Sequence, residues 1–246
     1  MKSSDLLMIA QIGFVLITLI SFGLLVKEFN TGSRQTTWAE NQRKKFISKI
    51  LVALFIWMVF VSAWSLSGVM GNFTKFPFNF MPVILIPLIT AIIITFSKSF
   101  NEILKHIPSS HLIRLQSFRV FVELLLWILF IANIAPVQMT FEGRNFDIIS
   151  GLSAPIIAWL ASQNKISKKW LIVWNVICLG LLINIVTVAI LSTPSPLRVF
   201  MNEPSNTIVT IFPFSWLPGF LVPLAYILHF LSLKQLLNKP SSGLGV

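Results

Sequence analysis

The sequence predicts an all-α membrane protein: a bundle of seven transmembrane helices, N-terminus outside and C-terminus inside, built as three helices, one linking helix and three more. Three observations predict it. The chain is 55% hydrophobic and only 11% charged, with a mean hydropathy of +0.83, whereas soluble domains carry about 25% charged residues. Seven apolar stretches approach the length of about 20 residues that a helix needs to cross the hydrocarbon. A proline-spaced phrase also occurs twice, as FPFNFMPVILIPL at 76–88 and FPFSWLPGFLVPL at 212–224.

The seven stretches run through about 6–26, 47–69, 80–96, 118–137, 147–162, 170–191 and 212–233. The first has more apolar residues than the roughly 7–15 of a signal-peptide core and no small-residue cleavage site after it, so a retained span is expected. The fifth is short. Backbone polar groups cannot stay unpaired in lipid, so each stretch is expected to be helical. The whole chain, 1–246, reads as one integral membrane domain, with a first repeat over about 6–100, a linker helix over about 116–137 and a second repeat over about 147–236.

Orientation follows from charge. With the N-terminus outside, fifteen of the nineteen basic residues fall on inner segments, and only Lys2, Lys75, Arg144 and Arg198 fall outside. This asymmetry predicts N-out, C-in by the positive-inside rule. The net charge of +11 is therefore read as a topology signal, and no nucleic-acid partner is expected. A bacterial inner membrane is the expected location and the bilayer the expected partner.

The repeat is carried by spacing. Aligning Phe76 with Phe212 pairs Pro82 with Pro218, Pro87 with Pro223 and Lys98 with Lys234. Lys44-Lys45 before the second span and Lys168-Lys169 before the sixth match as well. The third and seventh helices run in the same direction, so the repeat is parallel, with its pseudo-axis along the membrane normal. Pro82, Pro87, Pro218 and Pro223 each remove a backbone donor and bend their helix. Neighbouring groups must then satisfy the freed carbonyls.

Ionisable groups within spans are costly and mark functional sites. Glu123 and Arg119 lie four residues apart on one face of the fourth helix. His229, with Tyr226 three residues earlier, lies in the inner third of the seventh. These four are the candidates for an inner ligand or translocation site, with Arg119 snorkelling towards Glu123 as the structural alternative. Asn133, Asn175 and Asn184 are expected to join helices by hydrogen bonds. Outside, Glu142, Arg144, Asn145 and Asp147 cluster between the fourth and fifth helices, and Arg198 and Glu203 lie in the long loop 192–211. These six form a candidate outer mouth. Asp147 is expected to cap the fifth helix, Arg144 to pair with Glu142 or Asp147, and the long loop to fold over the mouth as a lid.

Other chemistries find no pattern. No lysine lies in the middle of the seventh helix for a retinal Schiff base. His106 and His111 have no third ligand nearby, so no metal is expected. There is no GxSxG elbow and no phosphate-cradling loop. Ser62, Ser65 and Ser150 have no base beside them in the sequence. No cofactor is expected.

The stretches LLLWILFIANIAPVQMTFEGRNFDIISGLSAP and NEPSNTIVTIFPFSWLPGFLVPLAYILHFLSL resemble those of multi-pass bacterial inner-membrane proteins to which no activity is assigned. The three-one-three layout is similar to that of SWEET-type and PQ-loop transporters. Those families carry a Pro-Gln pair in the first and fifth helices. Here the fifth holds Ala154-Pro155 and the first has Gln11 without a proline, so the likeness implies architecture and no sugar specificity. The expected function is binding, and translocation, of a small solute. The alternative is a sensor or an accessory subunit, paired with itself or another membrane protein; a membrane-embedded enzyme ranks below both.

Overall fold

The seven apolar stretches all become helix, but in unequal lengths. The computed structural model describes residues 2–238; Lys239, counted above among the inner charges, lies outside them. Helix α1 spans Ser3–Arg34 and α2 Glu40–Leu66. The third stretch is α3, Met81–Phe96, and turns by 70° into α4, Lys98–Leu104. Helices α5, Ser109–Leu115, and α6, Phe118–Ile131, follow, separated only by Gln116 and Ser117. Then come α7, Ile148–Ser162, α8, Lys168–Leu191, and α9, Val222–Asn238, which a π-helical turn at Leu217–Leu221 precedes. Among the described residues there is no strand.

Four of these segments are long and apolar enough to cross a membrane: α1, α2, α8 and the continuous run Leu217–Asn238. The bent pair α3–α4 adds a fifth if counted as one span. Helices α6 and α7, with 14 and 15 residues, are shorter than the expected spans. The stretch expected to be helical to 137 stops at Ile131. Asn133 there adopts φ of 59°, the left-handed conformation that ends helices, and Pro136 follows.

Local chemistry explains the breaks. Asp5 accepts a hydrogen bond from the Lys2 amide at 3.2 Å, placing negative charge at the positive end of the α1 dipole. Ser97 is extended, with ψ of 133°, and turns α3 into α4. Pro87 lies inside α3. Pro223 has no N–H to give the Gly219 carbonyl four residues back. The Trp57 indole of α2 donates to that carbonyl instead, at 2.8 Å. The Phe76-Pro77 and Phe212-Pro213 peptides are both cis.

Helix α9 is the central element, packed against α3, α5 and α8. Two-thirds of its apolar window is buried, against 6% for α2. The outward surface is apolar: Phe55, Ile93, Phe96 and Trp170 are each more than 60% exposed. The interior holds the polar groups, among them Arg119, Glu123, Asn145, Asp147, Asn175 and His229, all under 5% exposed. A water-soluble domain has this distribution the other way round.

Candidate functional site: a buried charge cluster beside a cavity

Helices α5 and α6 set the position of the cluster. Helical residues begin at Ser109, so Arg119 lies ten residues beyond that start, well inside the bundle. The snorkelling reading of Arg119 is therefore corrected: its side chain is 2% exposed and turns inward. Its Nε donates to Asp147 Oδ2 at 2.6 Å and a terminal nitrogen donates to Asp147 Oδ1. This is a bidentate pair, the strongest geometry open to guanidinium and carboxylate.

The chain reverses to make that contact. After α6, Glu142 accepts from the Trp127 indole at 2.6 Å. Asn145 donates to Glu123 at 2.5 Å and Asp147 reaches Arg119. The partners on α6 step back from 127 to 123 to 119 while the loop advances from 142 to 147. Residues 142–147 thus run antiparallel along α6 and start α7 level with Arg119. Such irregular backbone survives inside a bundle only where protein satisfies it. Asn145 does this, donating to the Met139 carbonyl at 2.9 Å and accepting from the Asp147 amide at 3.1 Å.

His229 of α9 and Asn175 of α8 complete the cluster. The Asn175 amide donates to the Leu171 carbonyl at 2.9 Å, so its oxygen faces His229 Nδ1, 3.0 Å away. Nδ1 therefore carries the proton and donates. Nε2 keeps its lone pair and accepts from Arg119 at 2.9 Å. A protonated imidazole would point an N–H at the guanidinium, so these partners fix a neutral histidine. The cluster then contains one cation, Arg119, and two acids, Asp147 and Glu123. Arg119 and Asp147 compensate each other, and Glu123 is the acid left over, held by the Asn145 amide.

Arg119, Glu123 and Asp147 line a cavity of about 70 Å³, whose remaining wall is apolar and includes Ile84 of α3, Leu126 of α6, Ile185 of α8 and Leu221. A water needs about 10–15 Å³, so the space holds a few waters or one very small solute.

The residues read from the sequence as an inner site and an outer mouth divide differently in space. Arg119, Glu123 and His229 are joined by Asn145 and Asp147 from the mouth set. Tyr226 is buried nearby, its ring 5.9 Å from that of Phe230. Glu142, Arg144, Arg198 and Glu203 remain at the surface. Asp147 does not cap α7: its backbone is already helical and its side chain makes no cap bond, because Arg119 takes it. Arg144 pairs with neither expected acid; its guanidinium lies 5.0 Å from the Phe200 ring centre. Arg198 does bind Glu203, at 2.8 Å. That hydrogen bond, with one from the Ser205 amide, holds the exposed Glu203 carboxyl below the ordinary carboxylate range. Asn175 joins two helices as expected, through His229. Pro82 sits in the first turn of α3 and Pro218 in the π-helical turn. Among the described residues no group of three or more His, Cys, Asp or Glu could hold a metal ion.

No curated protein and no solved structure matches the chain. One family model does, over residues 75–237, which takes in α3 to α9 and every residue of the cluster. The match covers well over half of the sequence, and the chain belongs to that family, a domain of unknown function (DUF8737).

Proposed function

We propose that this is a bacterial inner-membrane protein that binds a small solute in the cavity at Glu123 and carries it across the bilayer. The observation that carries the reading is the left-over acid: Glu123 is buried, lines the cavity, and is held by the Asn145 amide while Arg119 is taken by Asp147. An ionisable group at membrane depth is expensive and marks ion and substrate pathways. Such a site favours a solute, or a coupling ion, that brings positive charge as Glu123 gives up its proton.

The membrane topology belongs to the same proposal: seven spans, N-out and C-in, with α5–α6 as the linker. Contacts along the chain support two distinct ends. Ser3 donates to the Ala132 carbonyl at one. At the other, Phe29 meets Phe100, Phe46 meets Phe100, and Glu28 meets His111. The three-one-three repeat draws support from the two prolyl phrases. Each follows a short 3-10 turn, Phe73–Lys75 or Ile208–Thr210, and the helices they start, α3 and α9, pack on each other. In that frame the cavity lies between the triplets, walled by α3 on one side and α8 and α9 on the other. The layout is the one resembled by SWEET-type and PQ-loop transporters, taken here for architecture alone.

The test is uptake into proteoliposomes from a panel of labelled amines, amino acids and sugars. Native protein is expected to accumulate at least one, amines first, and Glu123→Gln to lose it. Uptake unchanged by Glu123→Gln removes this residue and the cavity from the mechanism. One observation favours a second reading, an accessory subunit: the barely buried face of α2 is free for a partner. That reading predicts no uptake of any solute and a second protein that copurifies in fixed ratio.

A further inference from the structure

A second cavity, of about 480 Å³, lies under α2. Its origin is the way α2 is attached. The C-terminal half of α2 is tied down by three hydrogen bonds: Trp57 to the Gly219 carbonyl, Ser65 to the Thr210 carbonyl, and the Trp216 indole to Ser62. The N-terminal half rests on Phe46, whose ring meets Trp38 at 5.1 Å and Phe100 at 5.2 Å. Between these anchors α2 bridges a cleft, whose opposite wall is formed by α3 and α9 around Pro87 and Pro223. Ile86 of that wall is 46% exposed, so the cleft opens sideways between α2 and α3.

We propose that this cleft holds one acyl chain of an anionic phospholipid, with the lipid phosphate at Lys49. The proposal uses the bilayer of the functional reading but does not depend on solute transport. Its volume falls in the range of about 300–1,000 Å³ typical of ligand sites. Its lining offers almost nothing to a polar solute. Thr90 and Lys49 are the polar side chains among the lining residues, and the Thr90 hydroxyl is spent on the Ile86 carbonyl at 2.8 Å. A sugar or amino acid would lose its hydration there without replacement. An alkyl chain loses none.

Charge selects the head group. Lys49 is the last charged residue of α2, and Ile50–Leu66 carry none, so it marks the level where hydrocarbon gives way to head groups. Lys45 lies one turn earlier on the same face. Lys44 is instead neutralised by Glu40 at 2.7 Å. No acidic side chain lines the cleft. From Lys49 to Trp57 the helix rises by about 12 Å, a length that an acyl chain can follow from phosphate to the Trp57–Gly219 closure.

The test is native mass spectrometry of the full chain released from vesicles of equal phosphatidylglycerol and phosphatidylcholine. Native protein is expected to retain phosphatidylglycerol several-fold over phosphatidylcholine. Lys49→Glu, with Lys49→Gln as the milder variant, is expected to bring the ratio to parity. Ala53→Phe, which fills the cleft from an exposed α2 position, should remove both lipids. Thermal unfolding in detergent checks that the variants keep the fold. Equal retention of both lipids by native protein, or a preference that survives both Lys49 variants, overturns the proposal. Glu123→Gln should retain the lipid as native protein does, so failure here leaves the solute cavity standing, and failure of uptake leaves the lipid site standing.

Discussion

Arg119 illustrates how one buried cation organises a site. Its guanidinium binds both oxygens of Asp147 and also donates to His229, at 2.9 Å, so it ties α6 to the start of α7 and to α9. Removing one partner of such a pair leaves the other charge buried and uncompensated, at about 3–5 kcal/mol, whereas replacing both by apolar groups is often close to neutral. Arg119→Met and Asp147→Leu are each expected to lower the unfolding midpoint in detergent sharply, and the double variant to recover most of the loss. Additive losses in the double variant would mean that the pair is not the coupling unit. At the surface, Glu203 offers a contrast. Its lowered pKa means that the carboxylate contributes to the fold above its unfolded-state value and loses that contribution as pH falls through the folded one. The Ser205 amide donates to Glu203 at 2.8 Å and reports this directly. Its nitrogen chemical shift is expected to stay flat through the ordinary carboxylate range and to move only at lower pH. Every residue of the cluster was singled out, but not its assembly. Arg119, Glu123 and His229 stood out as ionisable groups in apolar helices, and Asn175 as an amide joining helices. Asp147 and Asn145 were placed in an outer mouth instead, because their contacts span 28 and 22 residues that no local pattern encodes.

At the scale of elements, the segment after α6 decides whether a site exists. In the sequence, Glu142, Arg144, Asn145 and Asp147 read as an outer mouth because they cluster as polar residues between two helices. Polarity is also what an irregular segment needs to enter a bundle, since its backbone must find partners there. Gly143 permits the entry: a Cβ at this position would meet the Val137 carbonyl oxygen, and the Gln138 Cα at 2.6 Å. Gly143→Ala is therefore expected to cost about 1–3 kcal/mol by overpacking. It should also pull Asn145 off Glu123 and reduce uptake more than Glu142→Gln does at the exposed end of the same segment. Equal effects of the two substitutions would place the segment outside the functional unit. The helical stretches themselves were readable from hydropathy. Not all of their ends were, because the Gln116–Ser117 break coincides with a tertiary contact. The Gln116 side chain donates to the Ala225 carbonyl of α9 at 3.1 Å.

For the whole molecule the quantity to test is orientation, and the fold changes one term in the charge count behind it. Arg119 no longer counts as a loop charge, which leaves fourteen basic residues for the inner side against Lys2, Lys75, Arg144 and Arg198 for the outer. The bias survives, because the positive-inside rule is read from charges near helix ends and a charge neutralised inside the bundle exerts no such pull. Cys178 is the chain's one cysteine and is buried, so Cys178→Ser gives a clean background for single-cysteine labelling. In intact cells a membrane-impermeant maleimide is expected to label Lys75→Cys and Arg144→Cys. Lys105→Cys and Lys169→Cys should react only after the membrane is opened. The reverse pattern would invert the topology while leaving the cluster intact. Labelling of Lys75→Cys and Lys105→Cys from the same side would go further. It would mean that α3 and α4 form a re-entrant hairpin about the 70° bend, reduce the count of spans, and dissolve the two-triplet frame in which α3 and α9 are equivalent.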